Sequence, residues 1–517
     1  MLSRRAFLSA LAALGFTRAL PAWSQPRARF SSDPFKLGVA SGYPTPEGIV
    51  LWTRLVAEPL QPDGGLEPAT IPVRWEIAHD ERFSSIAASG TADASPEWLH
   101  SVHVEAKGLE PDRWYWYRFT AGDAQSAPAR TRTAPAANAT VERLKFAFAS
   151  CQQYEQGYYG AYRHIVADTP DLIAFLGDYI YEGSWGKDHV RKHDRANEAV
   201  TLDDYRSRHA HYKGDPDLQA AHAACPWILT WDDHEVVNDY ADDRPIDGAM
   251  SKEQFLARRA AAYRAYYEHM PLPSRMRPDG PRMRIYTQLG WGALARFFVL
   301  DDRQYRSYHA CQPPGRRGAS SVDVDVCTRI FAETRTILGR AQERWLEGAL
   351  GDSRAGWNVL AQQTRIAQFD ELPGPGRRAW TDSWDGYPAA RKRLLDFIAE
   401  RRIANPVAIG GDVHSFNVAE LKRDFDDPSS AVVGAEFVGT SITSQGWPQE
   451  RFDPLLPDNP HMKLLDSRHR GYVRMEVTPK ALRTDLRAME TVQTRDARCN
   501  TLATFLVEDG RPGPQRA

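Results

Sequence analysis

The chain of 517 residues has no long hydrophobic run, no cluster of basic residues and only five cysteines. Charged residues make up 26% of the chain and the mean hydropathy is −0.52, which excludes a protein that crosses a membrane many times. A formal net charge of −2 without a basic run argues against a nucleic-acid-binding surface. There is also no internal repeat. The length suits a soluble enzyme with one large domain and a smaller one.

The N-terminus is predicted to be a twin-arginine signal peptide, residues 1–24. Ser3-Arg4-Arg5-Ala6-Phe7-Leu8 has the twin-arginine pattern, and Ala22-Trp23-Ser24 is a plausible cleavage site. The apolar stretch between them is too short to span a bilayer, so we expect no stable membrane anchor after cleavage. An amphipathic N-terminus with a chance arginine pair is the alternative. We therefore expect the translocation machinery to export the folded protein, which would be periplasmic or secreted.

The five cysteines differ in their surroundings. Cys311 and Cys327 flank a segment rich in Pro, Gly and Ser, and could form a disulfide in an oxidising compartment. Cys225 is predicted to be a buried thiol, and Cys499 has no assigned role. Cys151 follows the apolar run 146–149. A core cysteine is the commoner fate of such a thiol, but its position at a strand end favours a metal-binding thiolate.

The chain divides into two regions. Residues 35–135 contain short alternating segments separated by turns, which predicts a small β-sandwich. Tyr115, after the turn at Glu110-Pro111, resembles the tyrosine corner of such sandwiches, in which the hydroxyl bonds to upstream backbone. A linker at 133–138 leads to a second region, residues 140–500.

The second region alternates strands and helices, as an α/β domain does. Strands are predicted at 144–149, 172–176, 227–230, 297–300, 357–360 and 406–409. Helices are predicted at 253–270 and 391–402. The stretch 182–213 is polar, rich in histidine and only weakly periodic, so we expect a long insertion near the site.

Three acidic and histidine clusters each follow an apolar run directly. Side chains at the carboxyl ends of strands in an open α/β sheet meet at one edge, although they are far apart in sequence. Any one carboxylate could instead cap a helix or a turn, but the set predicts one dinuclear metal site. The clusters are Gly177-Asp178-Tyr179-Ile180-Tyr181, Asp232-Asp233-His234-Glu235 and Gly411-Asp412-Val413-His414.

The residue types suggest individual roles in such a site. The carboxylate of Asp178 can bridge two cations, and a Tyr181 phenolate favours a trivalent metal over zinc. Asp233 and His234 are adjacent, so if one binds metal the other must point elsewhere, towards substrate. Asp412 and the histidine two residues later can face the same side of an extended segment and supply one ligand to each metal.

The motif order resembles that of the alkaline phosphatase D (PhoD) family of calcineurin-like metallophosphoesterases. Three further stretches support this resemblance, which extends over residues 37–477. The matching motifs are Ser150-Cys151-Gln152, Gly177-Asp178-x-x-Tyr181, Trp231-Asp232-Asp233-His234-Glu235 and Gly411-Asp412-x-His414, and the supporting stretches are 300–306, 436–440 and 470–472.

The resemblance implies a four-layer αββα metallophosphoesterase domain preceded by a small immunoglobulin- or fibronectin-like β-sandwich. It implies Fe³⁺ and Ca²⁺ as cofactors, with a further calcium whose ligands the sequence does not place. The implied iron ligands are Cys151, Asp178, Tyr181 and His414. The implied calcium ligands are Asp178, Asp233 and Asp412.

The implied mechanism is attack of a metal-bound hydroxide on a phosphate ester. Asp178 and His234 are then the expected catalytic residues, and His234 would hydrogen-bond the phosphoryl group or protonate the leaving oxygen. Arg303, Arg306 and Arg365 are candidates for binding the phosphoryl oxygens, or are salt-bridge arginines instead.

Three functions follow from this sequence. The first is a secreted phosphatase that acts on phosphate monoesters and diesters. The second is a more specialised phosphodiesterase, such as a phospholipase D-like enzyme. The third is a binding protein with an inactive site, which the intact motifs argue against.

Overall fold

The computed structural model describes residues 29–195, 197–246, 248, 250–313, 315 and 317–517. The predicted signal peptide, 1–24, lies outside these residues. The strands are β1 (Val39–Thr45), β2 (Gly48–Arg54), β3 (Ile71–Ala78), β4 (Ile86–Ala94), β5 (Ser101–Lys107), β6 (Trp114–Ala121), β7 (Ala124–Gln125), β8 (Ala129–Arg132), β9 (Leu144–Ala149), β10 (Leu172–Phe175), β11 (Trp227–Leu229), β12 (Thr287–Trp291), β13 (Ala295–Val299), β14 (Ser321–Asp323), β15 (Trp357–Ala361), β16 (Arg378–Trp380), β17 (Pro406–Gly410), β18 (Phe416–Lys422), β19 (Val432–Val438), β20 (Met462–Asp466), β21 (Gly471–Val477), β22 (Ala481–Met489), β23 (Cys499–Glu508) and β24 (Arg511–Arg516).

The α-helices of the described residues are α1 (Ala161–Ala167), α2 (Leu202–Lys213), α3 (Pro216–Ala224), α4 (Lys252–His269), α5 (Gly339–Gly351) and α6 (Pro388–Arg401). Within these ranges, no helix combines the length and the apolar character that crossing a bilayer requires.

Two large sheets pack face to face and are covered by helices on their outer sides. The first sheet has ten strands in the order β24-β23-β22-β21-β9-β10-β11-β1-β2-β5, and the second has seven in the order β12-β13-β15-β17-β19-β18-β20. Phe146 of the first sheet meets Phe297 of the second edge to face, with ring centroids 5.2 Å apart. Tyr162 of α1 packs on Trp227 of β11, and α5 and α6 cover the second sheet. The fold is the four-layer αββα arrangement predicted from the resemblance.

The N-terminal region is a β-sandwich that shares a sheet with the rest of the chain. Its second sheet, β4-β3-β6-β7 with β8 paired to β6, packs on β1, β2 and β5. β1 also pairs in parallel with β11 at Gly42 and Trp227, and the Tyr43 hydroxyl donates to the carbonyl of Leu229 at 2.6 Å. Regions 35–135 and 140–500 are thus joined by one continuous sheet. Alternation of apolar residues predicts the buried face of a strand and not its partner, so the sequence did not predict this pairing.

Most predicted elements match the structure to within two or three residues, but 182–213 differs. Its second half forms α2, which the weak apolar periodicity did not predict. Residues on the buried side of this helix are largely polar or aromatic, such as Tyr205, His209 and Tyr212. The sequence feature that could have predicted the start of this helix is its N-terminal capping box. The Thr201 side chain accepts from the Asp204 N–H, and the Asp204 carboxylate accepts from the Thr201 N–H.

Three local predictions are confirmed. Cys311 and Cys327 form a disulfide, and the Tyr115 hydroxyl accepts a hydrogen bond from the Glu110 N–H at 2.9 Å, as a tyrosine corner requires. Cys225 is buried and free, as predicted.

Candidate metal centre

The metal-site motifs lie where the two sheets present the ends of parallel strands. β9, β10 and β11 are parallel neighbours, and Cys151, Asp178 and Asp233 follow them. Asp412 and His414 follow β17 of the second sheet. An isolated bridge between Ser150 and Ser441 joins the ends of β9 and β19. The fold therefore brings the predicted ligands together from both sheets.

The backbone at these strand ends is unusual. Cys151, Asp178, Asp412 and His414 all have positive φ, of 58°, 57°, 63° and 50°. Non-glycine residues rarely adopt this conformation, and such strain clusters at functional sites. Gly177 also has φ of +112°, and a Cβ there would collide with Asp232. The sharp turn after β10, which directs Asp178 into the site, thus requires glycine at the preceding position.

Cys151, Asp178 and His414 form the first group of potential ligands. One donor atom of each lies within 4.8 Å of the other two. The Nδ1 atom of His414 lies 2.8 Å from the carbonyl oxygen of Gln445, so that nitrogen holds the proton and Nε2 offers its lone pair to the group. Burial also lowers the pKa of His414 to about 3, which keeps the ring neutral.

Tyr181 completes this first group. Its phenolic oxygen lies 2.8 Å from Asp178 Oδ2, 3.2 Å from His414 Nε2 and 2.8 Å from Ser444 Oγ. The side chain is fully buried. The phenol is thus fixed among the same atoms that would surround a cation.

Asp178, Asp233 and His234 form a second group with the same 4.8 Å spacing. Asp178 belongs to both groups, as a bridging carboxylate must. His234 was expected to point towards substrate if Asp233 binds metal, and the structure places a donor atom of each residue within 4.8 Å of the other. Its Nδ1 lies 2.6 Å from Glu182 Oε2, and its ring packs on Tyr181 at 4.1 Å. Burial opposes the charged form, but Glu182, Asp178 and Asp233 raise the pKa of His234 well above its usual range.

The site contains more buried negative charge than the protein's own cations offset. Burial and nearby carboxylates raise the pKa of Asp178 well above its usual range. Burial also raises the pKa of Asp412 to about 6. Asp178 Oδ1 and Asp233 Oδ1 have no hydrogen-bond partner among the described residues. Buried carboxylate oxygens without partners are costly, and bound cations would remove that cost.

Glu235 organises the loops through hydrogen bonds to their backbone. Its carboxylate accepts from the backbone N–H groups of Asp178 at 3.1 Å, Tyr179 at 2.5 Å and Asp232 at 2.8 Å. The fourth residue of the Asp-Asp-His-Glu motif therefore ties the end of β11 to the end of β10.

The three candidate arginines occupy different positions. Arg303 is fully buried, bonds to Asp232 and lies 2.7 Å from Asp382 Oδ2. Arg306 is also buried and lies 2.7 Å from Asp382 Oδ1. Neither arginine lines the cleft above the site, whereas Arg365 does. Phosphate binding by any of the three remains a prediction, and the geometry favours Arg365.

A cleft of about 680 Å³ gives access to the site. Asp178, His234, Asp412 and His414 are at its base. Five aromatic side chains stand among the otherwise mostly polar and charged residues of its walls: Trp185, Phe369, Trp380, Trp447 and Phe452.

Sequence reasoning missed two acidic residues of the site. Asp239 and Asp382 form a third group of donor atoms with Asp233. Asp239 lies six residues after Asp233, in the same loop, so proximity in sequence was a signal. Asp382 follows the short strand β16, with no motif around it. Only its contacts show that it belongs to the site: the Asp382 carboxylate is hydrogen-bonded to Arg303, Arg306 and His309.

A four-layer fold with acidic and histidine side chains gathered at strand ends defines the metallophosphoesterase class. Residues 146–486 match the family model described as "PhoD-like phosphatase". Residues 21–135 match the model described as "PhoD-like phosphatase, N-terminal domain". The chain is 47% identical over 498 residues to alkaline phosphatase D of Bacillus subtilis (strain 168). This alignment covers 94% of this chain and 82% of the Bacillus protein. It also matches a solved structure of PhoD with a TM-score of 0.89 and 46% identity, over 95% of this chain and 93% of that one.

The chain therefore belongs to the PhoD-like phosphatase family and is a hydrolase of phosphoric esters. The family assignment made from the motifs is confirmed, and an inactive binding protein is not supported.

Proposed function

We propose that the protein hydrolyses phosphate monoesters and diesters with the help of Fe³⁺ and Ca²⁺ held at the cleft base. The observation that supports this most directly is the position of Asp178. It belongs to two donor groups, one with sulfur and imidazole and one with carboxylate and imidazole. Two unlike cations sharing a carboxylate are suited to hold one phosphate ester between them.

The donor chemistry supports a division of ligands between the two cations. Cys151, Asp178, Tyr181 and His414 would hold iron, since thiolate and phenolate are anionic donors suited to a trivalent ion. Asp178, Asp233 and Asp412 would hold calcium, which prefers oxygen ligands. The resemblance also implies a further calcium, and Asp233 with Asp239 and Asp382 is the donor group available for it.

The chain's own residues would bind and orient the ester. Bound cations would lower the pKa of a coordinated water and neutralise the phosphate oxygens. His234, held by Glu182 and exposed to the cleft, is placed to give a proton to the leaving oxygen. Arg365 lines the cleft beside Phe369 and would attract the phosphoryl group.

The second candidate, a more specialised phosphodiesterase, is favoured by the cleft walls. Five aromatic side chains line a cleft of about 680 Å³. This is ample room for an ester with a bulky apolar or ring-containing substituent on each side of the phosphate.

A pair of nitrophenyl esters tests these proposals. Protein containing both metals should hydrolyse nitrophenyl phosphate and bis(nitrophenyl) phosphate, and a calcium chelator should abolish both activities until calcium is restored. A strong preference for the diester would favour the specialised phosphodiesterase. Protein with stoichiometric iron and calcium that cleaves neither ester would contradict the proposed function.

We also propose that the protein is exported by the twin-arginine route after it has folded around its metals. A buried site with a thiol and a phenol as ligands must be assembled from distant strands, which favours loading before export. Replacing the signal with one for unfolded export should give protein with little iron and little activity. Full iron content by that route would contradict this part of the proposal.

A further inference from the structure

A second cavity, of about 950 Å³, lies across Asp382 from the metal cleft. Asp382 lines the cleft, while Arg306 and His309, which bond to the Asp382 carboxylate, line the second cavity. We call this the arginine cavity. The arginines that line it are Arg244, Arg306, Arg317, Arg329 and Arg335. Among its described lining residues the acidic side chain is Asp242.

Among the described residues, several of these arginines have no carboxylate within ion-pair distance. Across the described part of the chain, Arg317, Arg329 and Arg335 form no ion pair with an acid. Arg335 donates instead to the carbonyl oxygens of Tyr308 at 2.9 Å and Gly386 at 3.3 Å. Burial and the positive charges of Arg306 and Arg329 lower the pKa of Arg335. Neighbouring positive charges destabilise the folded protein unless an anion lies between them.

Arg306 is the fully buried arginine among those that line the cavity. The residue is 1% exposed, and its Nε and Nη1 atoms bond to Asp302 O at 2.5 Å and Asp382 Oδ1 at 2.7 Å. Its Nη2 atom has no partner among the described residues. A buried guanidinium nitrogen without an acceptor is costly, and Arg306 adds a buried positive charge to the lining of the cavity.

We propose that the arginine cavity binds a tetrahedral oxyanion, inorganic phosphate, at a site separate from the metal cleft. Guanidinium groups bind such anions through paired N–H donors, and five arginines line this one cavity, which has room for a phosphate ion. The phosphate comes from solution or from the enzyme's own reaction. In either case the ligand has the same chemistry and the same contacts.

The test is equilibrium dialysis of radiolabelled phosphate against mature, metal-loaded protein. Arg329→Glu should bind one phosphate fewer per chain than the wild type. Arg335→Gln should raise the dissociation constant of that phosphate by about tenfold, the effect of losing one charge-assisted hydrogen bond. Because Arg329 is exposed, its charge reversal should leave the fold intact even if Arg335→Gln does not fold. Arg423→Glu is the matched control, since Arg423 is an exposed arginine that pairs with Asp396 and Glu400 elsewhere.

Asp178→Asn separates this proposal from the proposed function. This variant should lose phosphate binding in the cleft and still bind one phosphate, which adding Arg329→Glu should remove. Equal phosphate stoichiometry in wild type and Arg329→Glu would overturn the proposal, as would the same loss in Arg423→Glu.

Discussion

The two halves of the candidate metal centre differ in donor chemistry although they share Asp178. One half combines the Cys151 thiol, the Tyr181 phenol and the His414 imidazole. The other consists mainly of carboxylates, including Asp233. Thiolate and phenolate suit a trivalent transition metal, and carboxylates suit calcium. A single bridging aspartate can thus join two sites of unlike selectivity.

The two halves are also stabilised differently. Backbone groups fix the first: the Cys151 N–H donates to Gly177 O at 3.0 Å, and His414 is oriented by the carbonyl of Gln445. In the second half a buried charge provides the support, because Arg303 lies 3.5 Å from both Asp233 and Asp412. We infer that the first half keeps its shape without metal, while the second depends on charge compensation.

Asp178→Asn should have the largest effect, because it removes the bridge common to both halves. We expect both metals to be lost and turnover to fall by more than about a thousandfold, since in the proposed mechanism the cations would supply the nucleophile and the charge neutralisation. Metal per chain and turnover of nitrophenyl phosphate measure this. Asp496→Asn, at a fully exposed aspartate, should change neither. Retention of both metals at wild-type stoichiometry would refute the bridging role.

Cys151→Ala should affect the first half alone. Iron content and visible charge-transfer absorption should fall, calcium should remain, and turnover should drop by on the order of a hundredfold, the upper range for residues that tune a metal. KM should change little, because the lost thiolate acts on the nucleophile and not on substrate binding.

Cys225→Ala is the matched control for the thiol itself. Cys225 is also buried and free, so its loss should cost about 1 kcal/mol of unfolding free energy and leave iron and turnover unchanged. If Cys151→Ala behaved like Cys225→Ala, Cys151 would be a core residue, although the phosphatase assignment would stand.

The sequence predicted that the side chains of the first half would lie together, because each of them belongs to a motif at a strand end. Cys151, Asp178 and His414 follow β9, β10 and β17, whose apolar runs are short and clear. A buried parallel strand has a strong sequence pattern, and its carboxyl end is where polar side chains can approach a ligand.

The sequence predicted the surroundings of the second half less well. Asp382 lies in a turn with no motif, and its importance comes from contacts with residues more than 70 positions away. Arg303 was one of three candidate phosphate-binding arginines, with a salt-bridge arginine as the alternative, and the sequence did not predict its ion pairs with Asp232 and Asp382. The pairing of β1 with β11 was missed for the same reason, since long-range partners leave no local pattern.

Substitutions of His234 and Glu182 test the side of the site that faces the cleft. Glu182→Gln should lower turnover by about tenfold, because it weakens the hydrogen bond that orients the His234 ring. His234→Gln should lower turnover by about a hundredfold through loss of the proton donor. Both variants should retain iron. The split between turnover and KM distinguishes proton transfer from binding, and a rise in KM alone would assign His234 to substrate binding.

Ser444→Ala should have the smallest effect and sharpens the comparison most. Ser444 Oγ lies 2.8 Å from both the Tyr181 phenolic oxygen and the Cys151 carbonyl oxygen, so it touches the first half without being a ligand. Its removal should shift the charge-transfer absorption and lower turnover only a few-fold, roughly the effect of one hydrogen bond. Ser101→Ala is the control, since that buried serine donates to the Trp98 carbonyl in the sandwich. An unchanged spectrum in Ser444→Ala would show that the Tyr181 oxygen is not bound to iron, and the two halves would then differ less than their donor atoms suggest.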